Sequence, residues 1–258
     1  MILRPDGDGG AVVAIGQASH AWLAGQLARA WGNDRFTPPA PREEVCLAAV
    51  QHDIGWIDWD LRPERHRDTG LPQQFFAVDR PTHVALWTAA PQRVLSQSRY
   101  AALLVSLHGT GLYERFPPRT DDPDIARLVT GYLDGQRALQ AQLADEVGAS
   151  SAELTRNQAL LAAWDDLSLA VCRDDPGPHT VPGVPVGARD RAALTLTRTG
   201  TAPGAATYMV DPWPFAAPRL AVRAEGRRLE GPAPDQAALR AALNRAPVLT
   251  VEISLHAA

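Results

Sequence analysis

The chain has 258 residues, 45% of them hydrophobic and 21% charged, with a net charge of −4. Those values exclude a long disordered chain and disfavour nucleic acid as a partner, because phosphate backbones are bound mainly through positive charge. All 25 basic residues are arginine, which rules out Schiff-base chemistry and lysine-dependent phosphate loops.

Taken in chain order, Ile2-Leu3-Arg4 and Ala11 to Ile15 predict two short strands around the turn Asp6-Gly7-Asp8-Gly9-Gly10. A helix follows with Ser19 as its cap, His20 in its first turn, and Trp22, Leu23, Leu27 and Trp31 in helical register. The proline-rich segment Thr37 to Pro41 breaks the chain. A second helix, led by Arg42-Glu43-Glu44, then runs through Val45 to Val50 into His52-Asp53. Residues 56–82 read as a long irregular loop rich in Trp and Asp, and loops of that length are usually functional when aromatics order them.

His83 stands near a helix start. A helix from about Pro91, with Val94, Leu95, Ala101, Leu104, Val105 and Leu107 on its apolar face, is expected to stop at His108-Gly109. Asp121-Asp122-Pro123-Asp124 opens a helix to Val147, and Ser150-Ser151-Ala152-Glu153 is a capping box opening the next. That helix carries Leu160, Leu161, Trp164, Asp165, Leu167 and Val171. Beyond Pro178, strand patterns at Leu194–Thr197, Arg219–Arg223 and Val248–Leu255 surround one helix, Asp235 to Arg245. Two units are expected: a helical one over 1–178 with the N-terminal hairpin, and a β-rich one over 179–258, suited to pairing with that hairpin.

Cys46 and Cys172 show no paired spacing and read as buried thiols of a reducing compartment. The N-terminus lacks a secretory core, and no apolar run approaches the ~18 residues of a membrane span. A soluble cytoplasmic protein without membrane or nucleic-acid partners is expected, of undetermined oligomeric state.

His20, His52-Asp53, His83, His108 and Asp165 are polar positions on otherwise apolar helices, and burial of such groups is costly unless they pair or bind an ion. Neutral imidazole and carboxylate are good ligands for Zn, Fe or Mn, and helices of a bundle can bring them together. His66, His179 and His256 lie in loops or at the chain end and read as surface residues.

In this order the residues resemble the HD-domain superfamily of metal-dependent enzymes. Its pattern is a His on the first helix, a His-Asp pair ending the second, optional later histidines, and an Asp late in the bundle. "AAVQHDIGW" resembles its apolar-run-HDIG segment. "LLAAWDDLSLA" resembles its closing segment, where the ligand Asp precedes x-Leu-Ser, favouring Asp165 over Asp166. The likeness covers about residues 17–175. The whole chain, with "HDIGWIDWD", "LLVSLHGTGLYERF" and "DPWPF", also resembles an uncharacterised bacterial family.

The resemblance implies a mainly α, HD-type helical bundle with a small β-rich C-terminal unit. It implies two divalent ions (Fe, Mn or Zn), one on His20, His52, Asp53 and Asp165, and a second on Asp53, His83 and His108. The implied function is hydrolysis of a phosphate ester in a small-molecule substrate by metal-activated water, with Asp53 as the catalytic residue. A diiron oxygenase using the same ligands is the alternative, and a non-catalytic metal-binding or sensory module the third. Family hydrolases often carry Lys where this chain has Trp56. Phosphate charge would then fall to the metals or to Arg62, Arg80 or Arg115, and the departure favours the oxygenase or an atypical substrate. Trp56, Asp60, Tyr113 and Arg115 are the expected substrate contacts.

Overall fold

The computed structural model describes residues 1–7, 10–118, 120–202 and 205–258. The centre of the predicted N-terminal turn, residues 8 and 9, lies outside them. The elements are β1 (Ile2–Pro5), β2 (Val12–Ile15), α1 (Gln17–Ala30), α2 (Arg42–Gln51), α3 (Ile57–Leu61), α4 (Arg80–Val94), α5 (Arg99–Arg115), α6 (Pro123–Val147) and α7 (Ser151–Arg173). They continue with β3 (His179–Pro185), β4 (Arg191–Ala202), β5 (Ala205–Asp211), β6 (Arg219–Leu229), α8 (Gln236–Arg245) and β7 (Val248–Ala257).

The β part is far larger than a small appended unit. All strands from both ends of the chain join one seven-stranded sheet in the order β1-β2-β6-β7-β5-β4-β3. Helix takes 49% of the chain and strand 23% in a curled, half-barrel sheet, so the expectation of a mainly α, HD-type bundle is overturned. The hairpin does pair with the C-terminal strands, through Val12 to Ile15 of β2 against Leu229 to Gly226 of β6. β5 and β7 are the one parallel pair among the described strands. Two strands escaped the sequence reading. β3 contains Pro182 and Gly183, residues that punctuate loops but are tolerated on an edge strand beside the register shift between Val181 and Val184. β5 alternates buried Ala206, Tyr208 and Val210 with half-buried neighbours.

The alternation of β6 and β7 explains which face packs. Val222 and Ala224 on β6, and Val251, Ile253 and Leu255 on β7, are buried, while Arg223, Glu225, Thr250 and Glu252 face outward. The buried face meets α1 and α7, and one core runs through them from Ile2 and Ile15 to Leu194 and Ile253. α7 packs on both β1 and β3, the two edges of the sheet. Its last turn ends at Asp174 in the left-handed region, φ 60°. The Asp174 carboxylate gathers Arg4 from β1 at 3.0 Å, Arg198 from β4 at 2.9 Å and the Tyr208 hydroxyl of β5 at 3.1 Å. Arg4 also donates to the Val171 carbonyl at 2.7 Å, so the open side of the curled sheet is fastened to one helix end.

Among the helices, Ser150 caps α7, its hydroxyl accepting the Glu153 N–H at 3.2 Å, while the Glu153 carboxylate takes the Tyr100 hydroxyl instead of closing a capping box, and Asp122 caps α6. Ser19 does not cap α1; Gly16 stands at that position and the cap comes from the Asp60 carboxylate, which accepts the Gln17 N–H. Residues 56–82 are not one irregular loop, since α3 and a single turn at Phe75–Ala77 interrupt them. The helix expected from Pro91 is two: α4 starts at Arg80 with Asp79 as cap and includes Pro91, and α5 restarts at Ser98. α5 passes through Gly109 and Gly111 to Arg115. Gly109 is there for close approach, since a Cβ would stand 2.9 Å from the Trp87 ring and 2.5 Å from the Tyr132 hydroxyl.

Asp174→Ala should lower unfolding stability by about 3 kcal/mol, because it strands the buried Arg4 guanidinium. Asp174→Asn, which tolerates the left-handed conformation and keeps a hydrogen-bonding oxygen, should lose less. Equal denaturation midpoints for wild type and Asp174→Ala would show that the clasp contributes nothing.

Candidate metal centre

His20 projects from the first turn of α1, His52 and Asp53 close α2, His108 lies on α5, and Asp165 and Ser168 share one face of α7. α1 packs against α2 and α7, and α5 against both of the latter, so four helices deliver these side chains to one buried point. The Gly55 of the HDIG segment lets the chain turn tightly there, since a Cβ would collide with the Leu86 carbonyl of α4.

Two of the imidazoles, His52 and His20, are held by their outer nitrogens. His52 Nδ1–H donates to the Ala49 carbonyl at 2.9 Å, an acceptor that fixes the tautomer. The Ser168 hydroxyl donates to the Asp165 carbonyl at 2.9 Å and accepts from His20 Nδ1–H at 2.8 Å. In neutral rings both Nε2 lone pairs then point inward, and the two atoms stand 3.2 Å apart. Two lone pairs at that separation repel unless a proton or a metal ion lies between them. Carboxylates surround the pair: Asp53 Oδ2 is 2.8 Å from His20 Nε2, and Asp165 Oδ1 is 3.4 Å from His52 Nε2 and 3.5 Å from His20 Nε2. His108 Nε2 lies 3.6 Å from Asp165 Oδ2.

The electrostatics follow. Burial opposes a charged His52, but Asp53, Asp165 and the Ala49 carbonyl outweigh it and raise the imidazole to about 9. Burial also opposes a charged Asp165, yet the His52 hydrogen bond and the surrounding imidazoles hold it well below the usual carboxylate range. His108 is pushed down to about 4 by burial, with repulsion from His52 and His20 acting against the attraction of Asp165.

The donor atoms of His20, His52 and Asp165 all lie within 4.8 Å of one another, and this trio could hold a metal ion. The donor set fits, being two imidazole nitrogens with pre-set tautomers and a carboxylate, with Asp53 and His108 adjoining.

His83 lines the same cavity but does not touch the cluster. Its Nδ1 bonds the Tyr113 hydroxyl at 2.6 Å, and Trp87 Nε1–H donates to its Nε2 at 3.3 Å. Burial and the nearby Arg80 hold this ring down to about 4, so it is neutral. Of the expected substrate contacts, Trp56, Tyr113 and Arg115 line the cavity. Asp60 does not: it caps α1 and lies 3.4 Å from the Met1 amine, drawn there because Gly16 offers no capping side chain. His179 is no free surface residue either, since its Nε2 bonds Asp166 at 2.9 Å.

The sequence matches, over residues 1–231, a family described as "Protein of unknown function (DUF3891)". The chain belongs to that family. Searches of curated proteins and of solved structures each returned no match. The family thus supplies no chemistry, and the site has to be read from its own residues.

Three of those were not picked out from the sequence. Gln17 donates to Asp53 Oδ2 at 3.2 Å and keeps a buried Oε1 without a partner among the described residues. Ser168 stood inside the quoted closing segment without a role. Arg173 follows Asp165 and Leu169 at helical spacing, and all three line the cavity, a periodicity that would have exposed it.

Mn²⁺ or Zn²⁺ in hundredfold excess over its dissociation constant should stabilise the wild type by about 2.7 kcal/mol through mass action. His52→Ala and Asp165→Ala should abolish that thermal shift, and an undiminished shift in both variants would remove the site from this cluster.

Proposed function

We propose that the chain is a metal-dependent hydrolase of a phosphate ester, working at the cluster of His20, His52, Asp53 and Asp165. The observation that carries this reading is the pair of buried imidazoles locked nitrogen to nitrogen at 3.2 Å beside two carboxylates, Asp53 and Asp165, that line a cavity of about 400 Å³. The chain order of these residues, with His83 and His108 between, supports a relation to the HD-domain superfamily at the level of the site.

A divalent ion held by these ligands would supply Lewis acidity toward a phosphoryl oxygen and acidify water. Ser168 and Ala49 keep His20 and His52 in the ligating tautomer. Gln17 fixes one oxygen of Asp53, whose Oδ1 takes no hydrogen bond from the described residues and is the acceptor best placed to orient an attacking water. The neutral His108 is suited to ligate a second ion or to take up a proton. His83 could join it only by giving up its bond from Trp87, so a second ion is the weaker half of the expected pair. Trp56 and Trp87 wall the cavity and limit bulk water.

The oxygenase alternative was favoured by the missing lysine at position 56. Arg80 and Arg115 on the cavity wall provide positive charge in its stead, which returns the weight to hydrolysis. Arg62, the third candidate, does not line that cavity.

The chain loaded with Mn²⁺ should release p-nitrophenol from p-nitrophenyl phosphate or from the bis-ester. Asp53→Asn should lower kcat by about a thousandfold while retaining the wild-type circular dichroism spectrum. Stoichiometric metal with no turnover of either ester would overturn the hydrolase, and iron at two per chain with oxygen uptake would install the oxygenase.

A further inference from the structure

The wall between the cluster and solvent carries three guanidinium groups, each laid on an aromatic ring. Arg80 lies 5.6 Å from the centroid of Tyr113, Arg115 5.0 Å from Phe116, and Arg173 5.4 Å from Phe75. All six residues line the cavity. Stacking on a ring orients a guanidinium and leaves its N–H edge open to a planar or tetrahedral anion.

The described carboxylates nearby leave two of the three without a partner. Asp53 and Asp165 are engaged by imidazoles, and Asp166 is bonded by His179 at 2.9 Å with Arg115 at 3.8 Å. Among the described residues, neither Arg80 nor Arg173 has a carboxylate oxygen within 4.0 Å, although Arg80 is half-buried. A half-buried cation without a counter-ion is costly and is well matched to an incoming anion.

The rim also carries exposed apolar surface. Phe76 and Phe116 are 65% and 62% exposed and both border the cavity. Single exposed aromatics are common, but two flanking one opening beside three stacked arginines form a surface for a ligand that is charged at one end only. The cavity volume of about 400 Å³ suits a small molecule.

We propose that the substrate is an anionic phosphate ester of an apolar, ring-sized body. Its phosphoryl end is met by Arg80 and Arg173, and its apolar body lies against Phe76 and Phe116 at the rim. The proposal rests on the hydrolase reading and names the substrate class of that site.

Calorimetric titration of the full chain as purified, with 1-naphthylphosphonate and inorganic phosphate as probes, tests it without turnover. The naphthyl compound should bind at least tenfold more tightly than inorganic phosphate. Arg80→Gln should weaken it about tenfold or more, one charge-assisted contact being worth that much. Phe76→Ala with Phe116→Ala should erase the preference for the naphthyl probe while leaving inorganic phosphate unchanged, and Arg62→Gln should behave as wild type. Equal affinity for the two probes, or wild-type affinity in Arg80→Gln, would overturn the proposal. Continued p-nitrophenyl ester hydrolysis alongside such a result would leave the hydrolase standing, whereas selective phosphonate binding without any turnover would remove the hydrolase and keep the anion site.

Discussion

Two imidazole nitrogens that face each other with their outer protons already committed are the constraint on which the site depends. Each ring is fixed by an acceptor from a different part of the chain, the Ala49 carbonyl within α2 and the Ser168 hydroxyl from α7. Turning either ring over would break its bond to the Ala49 carbonyl or the Ser168 hydroxyl. Positive charge between the rings is the remaining relief, and Asp53 and Asp165 reinforce the demand for it. The geometry of four helices is thus tied to one local electrostatic need.

The sheet explains why the arrangement persists. α1 and α7, which deliver His20 and Asp165, pack on the buried face of the sheet, while Asp174 fastens the end of α7 to strands from both halves. Asp165 and Asp174 lie on the same helix, so the position of the ligand is referred to the sheet edges through a rigid element. α4 reaches that frame only through α5 and the turn after α2, whereas α5 packs on α2 and α7. They contribute the aromatic wall of Trp87 and Tyr113 and a separate small cluster with Trp56, Val129 and Tyr132.

Much of the site was readable because its chemistry is concentrated in short segments. An apolar helix that ends in His52-Asp53 announces itself, and so does Asp165 followed by Leu167 and Ser168. The fold was less legible. Pro182 and Gly183 disguised an edge strand, and the half-buried pattern of β5 carried too little apolar contrast to stand out. Pro91 marks helix starts often enough to hide an α4 that begins eleven residues earlier, at Arg80. Gly109 and Gly111 mimicked a helix stop when their purpose is contact with Trp87, Tyr132 and Gln158. Asp60 was misassigned because nothing local tells that Gly16 leaves a helix end uncapped and that a distant carboxylate fills in.

Dependence on α7 also sets a timetable for the nascent chain. His20 and Ser168 are separated by 148 positions, and Arg4 reaches the Val171 carbonyl across 167. The first ligands therefore leave the ribosome long before the helix that completes their surroundings, and that helix is fastened only when β4 and β5 have followed. Contacts at such separation close slowly. Until they close, His20 and His52 belong to a loose helical pair, and any ion affinity would be acquired late, once distant parts of the polypeptide have met.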